Sequence, residues 1–395
     1  MKRECLGAQL WLQHTSKMNK KVILVYIIAL IVGFSYGMHN PVVPLFSKDL
    51  GASYFDLGII GFSNFIPYMF IPLFVGLLLD RFNKGLLLSM GLVLDTLSIY
   101  LLSVADSVPQ VIIFRTLVGV AHSFFWPPCE SIISQSTSPQ NRVKAISRFM
   151  AFFVIGLMIG PLVGSFLLEH FDVSYRIIFQ IAAFAIATSL VSSLMLSKNG
   201  KTNRNGIISI TSAKHLIKFP TVIIILLFCS VSFGVFLAIL PAYMSERSIS
   251  ESNIELLFFV FGISRLVSLL ASNFLMKKFL TSLLLVILSI STGMLMLFYS
   301  HSMVEFSVAV LILGFGFSVY FPLTFEIIMR KAKENAGALI GAYEATFGIG
   351  WAFGPLIIGI IANSFGSSIP YLVLSIAGLF VLGFVFLKKR EVVLV

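Results

Sequence analysis

The sequence predicts an all-α membrane protein of 12 transmembrane helices in two pseudo-symmetric six-helix bundles. Three observations carry that prediction. Apolar residues make up 58% of the 395-residue chain and charged residues 11%, against about 25% charged in a soluble domain. The apolar residues fall in runs of the roughly 20 that a bilayer-spanning helix needs. A Gly-Pro cluster occurs twice, half a chain apart: Gly156-Leu-Met-Ile-Gly160-Pro161-Leu-Val-Gly164-Ser165 and Gly350-Trp-Ala-Phe-Gly354-Pro355-Leu-Ile-Ile-Gly359. A second pair sets Gly119, Trp126-Pro127 and Ile132-Ile133 against Gly314, Phe321-Pro322 and Ile327-Ile328 at nearly the same offset.

The spans follow in order, each ended by a charged or polar break. Span 1 covers 22–45, before Lys48, Asp49 and Asp56; span 2 covers 55–79, before Arg81 and Lys84. Span 3 is 85–105, before Asp106; span 4 is 109–132, before Arg142, Lys144 and Arg148. Span 5 is 147–169, before Asp172 and Arg176; span 6 is 175–197, before the longest polar stretch, Ser197 to Lys218. Span 7 is 219–243, before Glu246, Arg247, Glu251 and Glu255, which read as outer-loop residues. Span 8 is 254–276, before Lys277 and Lys278; span 9 is 279–300, before Glu305. Span 10 is 304–329, before Arg330, Lys331 and Lys333; spans 11 and 12 are 336–363 and 369–387. The organisation is therefore an extension 1–21, a six-helix bundle 22–197, a linker 198–218, a second bundle 219–387 and a tail 388–395.

Orientation follows from Lys and Arg, which mark cytoplasmic segments. With both termini in the cytoplasm, the outer segments hold only Lys48, Arg176 and Arg247, and they collect the acids instead. The net charge of +11 is thus topological and calls for no nucleic-acid partner. Cys5, Cys129 and Cys229 are isolated and suggest neither metal nor disulfide. No Ser-His-Asp arrangement or phosphate loop points to an enzyme, and no cofactor is expected. The first apolar run is too long for a signal-peptide core and reads as a retained helix. Two similar halves in a membrane are built to rock against each other, the architecture of a secondary transporter for a small-molecule substrate. The expectation is a multi-pass plasma-membrane protein acting as a monomer in the lipid bilayer.

Gly76-Leu-Leu-Leu-Asp80-Arg81-Phe82-Asn83-Lys84, between spans 2 and 3, resembles the Gly-x-x-x-Asp-Arg-x-Gly-Arg/Lys signature of the major facilitator superfamily. Asn83 replaces the usual second glycine; Asn tolerates the left-handed backbone, so the turn is expected to persist. The resemblance implies a gate in which Asp80 meets the start of span 11, with Gly76, Arg81 and Lys84. Arg115-Thr-Leu-Val-Gly119 resembles the superfamily's intramembrane Arg motif. The Gly156–Ser165 cluster, with Gly156, Gly160, Pro161 and Gly164, resembles its antiporter motif. There the resemblance implies a ridge on the seam between halves and export in exchange for protons, most like the drug/proton antiporter branch. The repeat at Gly350, Gly354 and Pro355 strengthens the duplication, not the coupling ion.

Charges inside spans are costly and mark function or buried partners. Arg115, His122 and Trp126 share one helical face. Glu344 shares a face with Phe347 and Trp351, and desolvation of such a carboxyl suits it to binding and releasing protons; the alternative is a permanent ion pair with Arg265. Asp95 reads either as a coupling group or as a structural partner for Arg115 or His122. Tyr36, His39 and Asn40 on span 1, Phe233 and Phe236 on span 7 and Tyr320 on span 10 line the cavity by resemblance. The reading is proton antiport of a hydrophobic, drug-like molecule. The alternative is a proton symporter or facilitator taking up a sugar or organic acid, against which the spans' poverty in Asn and Gln speaks.

Overall fold

In the computed structural model, twelve segments among the described residues are helical, long and apolar enough to cross a membrane. The structure describes residues 19–198, 220–271, 275, 278–331 and 336–388, without the side chains of 73, 76–77, 80–81, 139–144, 147, 279, 321–322, 325–331 and 336–345. Almost all of the extension, the linker and the tail lies outside the described residues. Span 1 is Lys20–His39 followed by Val42–Asp49, span 2 Tyr54–Arg81, span 3 Lys84–Ser103, and span 4 Val108–Ser123 followed by Trp126–Ser136. Span 5 is Pro139–Phe171, span 6 Tyr175–Ser197, span 7 Pro220–Ala238 followed by Leu240–Glu246, and span 8 Glu251–Leu270. Spans 9 to 12 are Phe279–Tyr299, Met303–Lys331, Ala336–Phe365 and Ile369–Leu387.

Local chemistry sets the ends. Ser53 and Asp56 form a reciprocal capping box at span 2: the Asp56 amide donates to the Ser53 hydroxyl at 3.1 Å, and the Ser53 amide donates to the Asp56 carboxylate at 2.8 Å. Asn83 corrects an expectation. Its backbone is extended, φ −64° and ψ 119°, not left-handed. It caps span 3, its side-chain oxygen accepting from the Gly85 amide at 2.9 Å. Phe82 and Asn83 alone join the two helices, so no positive φ is required. Gly85 then lies against the end of span 6, where a Cβ would come within 2.5 Å of the Ser197 amide.

Spans 1, 4 and 7 are broken at Asn40-Pro41, at Phe124-Phe125 and at Ile239, each at or within two residues of a proline that lacks a backbone donor. The repeat is imperfect here. Span 10 runs unbroken over Met303–Lys331 although it aligns with span 4. Span 4 carries two successive prolines, Pro127-Pro128, where span 10 carries only Pro322.

The packing repeats between halves. Gly156 and Gly160 abut the backbone of span 1, at Leu30–Phe34 and Phe34–Met38, and Gly350 and Gly354 abut span 7 at Ser230 and Val231. Only the last glycine of each cluster reaches across: Gly164 meets span 8 at Glu255, and Gly359 meets span 2 at Tyr54 and Gly58. The expected seam ridge is therefore shared between two neighbours. Residues four apart on a helix of 3.6 residues per turn rotate about 40°, so the ridge turns from one neighbour to the next. Large apolar side chains such as Phe74, Phe184 and Phe380 stand exposed around the perimeter, as a lipid-facing surface requires.

Candidate functional site

The site builds from the broken helices. At the break in span 1, Asn40 offers its side-chain oxygen to Arg115 of span 4, whose guanidinium donates at 3.1 Å. Arg115 also lies 3.5 Å from His39 Nε2. His39 Nδ1 bonds the Ser35 carbonyl at 2.7 Å; a carbonyl only accepts, so the proton is on Nδ1 and Nε2 faces the arginine as an acceptor. Asp95 of span 3 is buried, and its carboxylate accepts from the Tyr36 hydroxyl at 2.9 Å. The bonded partner of Asp95 is thus Tyr36, not Arg115 or His122. Tyr36 stacks on His122 at 5.0 Å between ring centroids. Trp126, across the break in span 4, donates from Nε1 to His122 Nε2 at 2.6 Å. That bond occupies the Nε2 lone pair and leaves the His122 proton on Nδ1.

From His122 a chain of rings crosses the molecule. His122 meets Tyr68 of span 2 edge-on at 5.5 Å, and Tyr68 and Phe65 meet Trp351 of span 11 at 6.1 and 5.3 Å. Trp351 contacts Phe233 of span 7 at 5.9 Å and Phe347 at 5.6 Å. Phe347 contacts Tyr320 of span 10 at 5.7 Å. The guanidinium of Arg265 lies 5.4 Å and 5.5 Å from the ring centres of Phe233 and Phe261. His122, Trp126, Phe65, Phe233, Arg265 and Trp351 are only half-buried, whereas His39 and Phe236 are fully buried. Phe236 is therefore core. Among the described residues, Arg265 Nε, Trp351 Nε1, Arg115 Nε and Asn64 Oδ1 have no hydrogen-bond partner. Half-buried aromatic rings with a few unpaired polar atoms among them are the usual lining of a small-molecule site.

The halves also meet at the face that carries the acidic loops. Lys48 pairs with Glu246 at 3.4 Å, the Ser165 and Ser252 hydroxyls lie 3.0 Å apart, and Ser252 donates to Glu169 at 2.9 Å. Here the structure corrects the reading of Glu255 as a loop acid. Span 8 begins at Glu251, capped by Ser250, so Glu255 lies in its second turn and is fully buried. Its signal was present in the sequence: Ser252, Glu255 and Gly262 fall on one helical face, the face turned to span 5.

Gly76, Asp80, Arg81 and Glu344 lie outside the described side chains, and Lys84 begins span 3 half-buried. Of the other residues singled out from the sequence, the structure gathers Tyr36, His39, Asn40, Asp95, Arg115, His122 and Trp126 in one cluster of the first half. It places Arg265 and Tyr320 on the opposite wall, in the second half. The sequence reading missed Tyr68, Phe65, Asn64 and Glu255.

The family model described as Major Facilitator Superfamily matches residues 25–343 and 222–394. Quinolone resistance protein NorA of Staphylococcus aureus is 24% identical over 352 residues, covering 87% of this chain and 90% of that protein. Multidrug resistance protein 1 of Bacillus subtilis is 25% identical over 363 residues, covering 87% and 91%. Among solved structures, a peptide transporter POT in complex with sulfate superposes with TM-score 0.79 at 12% identity, covering 94% of this chain and 95% of that one. The nucleoside transporter NupG superposes with TM-score 0.77, also at 12% identity, covering 94% and 99%.

Proposed function

The chain belongs to the major facilitator superfamily, and on that footing we propose that it exports small aromatic, drug-like molecules by proton antiport. It is a multi-pass membrane transporter and not an enzyme. One observation carries the substrate class: the ring chain Tyr36–His122–Tyr68–Trp351–Phe233 passes from the first half to the second. A flat ligand that parts Tyr68 from Trp351, whose ring centres lie 6.1 Å apart, and stacks on both touches both halves at once. Its binding therefore biases their relative position, which is what alternating access needs. The relatives named for quinolone and multidrug resistance support this reading. The acid-bearing face is the outer one, and both termini are cytoplasmic, by the distribution of Lys and Arg. Glu344 and Asp95 carry the coupling proton, Arg115 and Arg265 hold polar groups of the cargo, and the Asp80 motif latches the cytoplasmic side.

The test is accumulation of a fluorescent quinolone by proteoliposomes of the purified protein under an imposed pH gradient. Losing the Trp351 ring removes burial and stacking together, above the 1.4 kcal/mol that corresponds to tenfold. Trp351→Ala is thus expected to raise the half-saturating concentration about tenfold or more. Saturable transport unchanged in Trp351→Ala opposes the ring-lined site, and accumulation indifferent to the pH gradient opposes the coupling.

A further inference from the structure

Glu255 stands where the two halves close on each other, and its surroundings do not suit a charge. Its carboxyl faces Gly164 of span 5, close enough that a Cβ there would lie 3.1 Å from the carboxyl carbon. The side chain is 0% exposed, and neither oxygen has a hydrogen-bond partner. The equivalent crossing in the other half of the repeat uses backbone instead: Gly359 against Tyr54 and Gly58. Packing at this crossing therefore does not call for a carboxyl group. A bare carboxylate here would lose its hydration and gain no donor in return, a penalty of several kcal/mol.

We infer that Glu255 is a proton-binding site that controls the seam between spans 5 and 8. Neutral Glu255 lets Gly164 and span 8 close; ionised Glu255 holds that seam apart, where water reaches it. The charges around it reinforce the effect. Span 5 brings Glu169, bonded to Ser252, and His170; the Val42–Asp49 helix brings Lys48 and Asp49; span 6 brings Tyr175; Leu240–Glu246 ends in Glu246. Glu251 lies one turn away on span 8 itself, and Arg247, which caps the Leu240–Glu246 helix, is engaged by His301. Lys48 is engaged by Glu246. Among the described residues no cation contacts Glu255, so ionisation adds a negative charge to an acidic corner. The inference rests on the transporter reading for its purpose: with this face outward, an external proton closes the emptied transporter and returns it to load again.

The experiment reads the seam and not transport. Spin labels at Ser174→Cys and Ser245→Cys, one exposed position on each half at this face, are placed in a background with the native cysteines replaced. Their separation is measured in lipid nanodiscs between pH 5 and pH 9. The unmodified seam is expected to gain a longer-distance population as pH rises. Glu255→Gln should remain closed across the range, while Glu169→Gln should keep the pH response. A Glu255→Gln curve that follows the parent, or a response that vanishes in Glu169→Gln instead, overturns the inference. Should Glu255→Gln fail to fold, carbodiimide labelling of the parent protein decides, read by peptide mass spectrometry. Modification at Glu255 that fades as pH rises supports the site, and Glu255 inert at every pH overturns it. Absence of proton-driven quinolone transport, with the seam still responding to pH, would remove the proposed function and leave this site standing.

Discussion

Gly37→Ala tests the close packing of span 1 on span 5. A Cβ at Gly37 would lie 2.5 Å from the Leu157 carbonyl oxygen and 2.8 Å from Pro161 Cδ, where ordinary contact begins at 3.4 Å. Both helices are continuous there, so the relief is a separation of about 0.9 Å. A radial gap of 0.5–1 Å forfeits about a quarter to a half of each atomic contact along the interface. Overpacking of this kind costs about 1–3 kcal/mol. Helix propensity alone acts in the opposite direction, favouring Ala over Gly by about 1 kcal/mol. The sign of the change therefore identifies which effect dominates. Thermal unfolding of the detergent-purified protein is expected to show an apparent midpoint several degrees lower for Gly37→Ala. Gly383→Ala is the control, because nothing lies within 4 Å of its added Cβ; its midpoint should hold or rise slightly. A Gly37→Ala midpoint at or above the parent's refutes the backbone-distance packing.

The remaining predictions concern polar contacts. Asp95→Ala orphans the buried Tyr36 hydroxyl, at a cost of about 1–3 kcal/mol, whereas Asp95→Asn keeps an acceptor and should melt closer to the parent. Equal loss in both would show that charge, not the hydrogen bond, is what Tyr36 requires. Asn83→Ala removes a helix cap and should lower stability by about 1 kcal/mol in the same melting assay. Lys48→Ala breaks a partly exposed ion pair and should change stability by less than about 1 kcal/mol.

The twelve spans were legible because a lipid solvent forces long apolar runs, and their ends needed only the charged breaks between them. The breaks inside spans 1, 4 and 7 were not read, although Pro41, Pro127-Pro128 and Pro241 mark them. A proline in a membrane helix bends or breaks it according to what else satisfies the freed carbonyls, and that depends on neighbours. The cluster around Arg115 was legible for the same reason the spans were: a polar group inside an apolar run stands out. Tyr68 and Phe65 were not, since rings are common in this chain and helical periodicity does not say which face meets which helix. Glu255 was misread because an acidic start to a helix resembles a loop in hydropathy, and only the Ser250 cap distinguishes the two. The Gly156–Gly164 ridge was recognised as one surface, but its rotation along the helix gives it two partners.

Proton-coupled export is tested most directly by following the lumen of proteoliposomes with a trapped pH dye. The vesicles are loaded with a quinolone and diluted into quinolone-free buffer at equal pH. Outward movement of the cargo should draw protons inward and acidify the lumen, with Trp351→Ala needing about tenfold or more quinolone for the same signal. An alkaline shift would mean that cargo and protons travel together, and a flat trace during quinolone release would mean that they are not coupled at all.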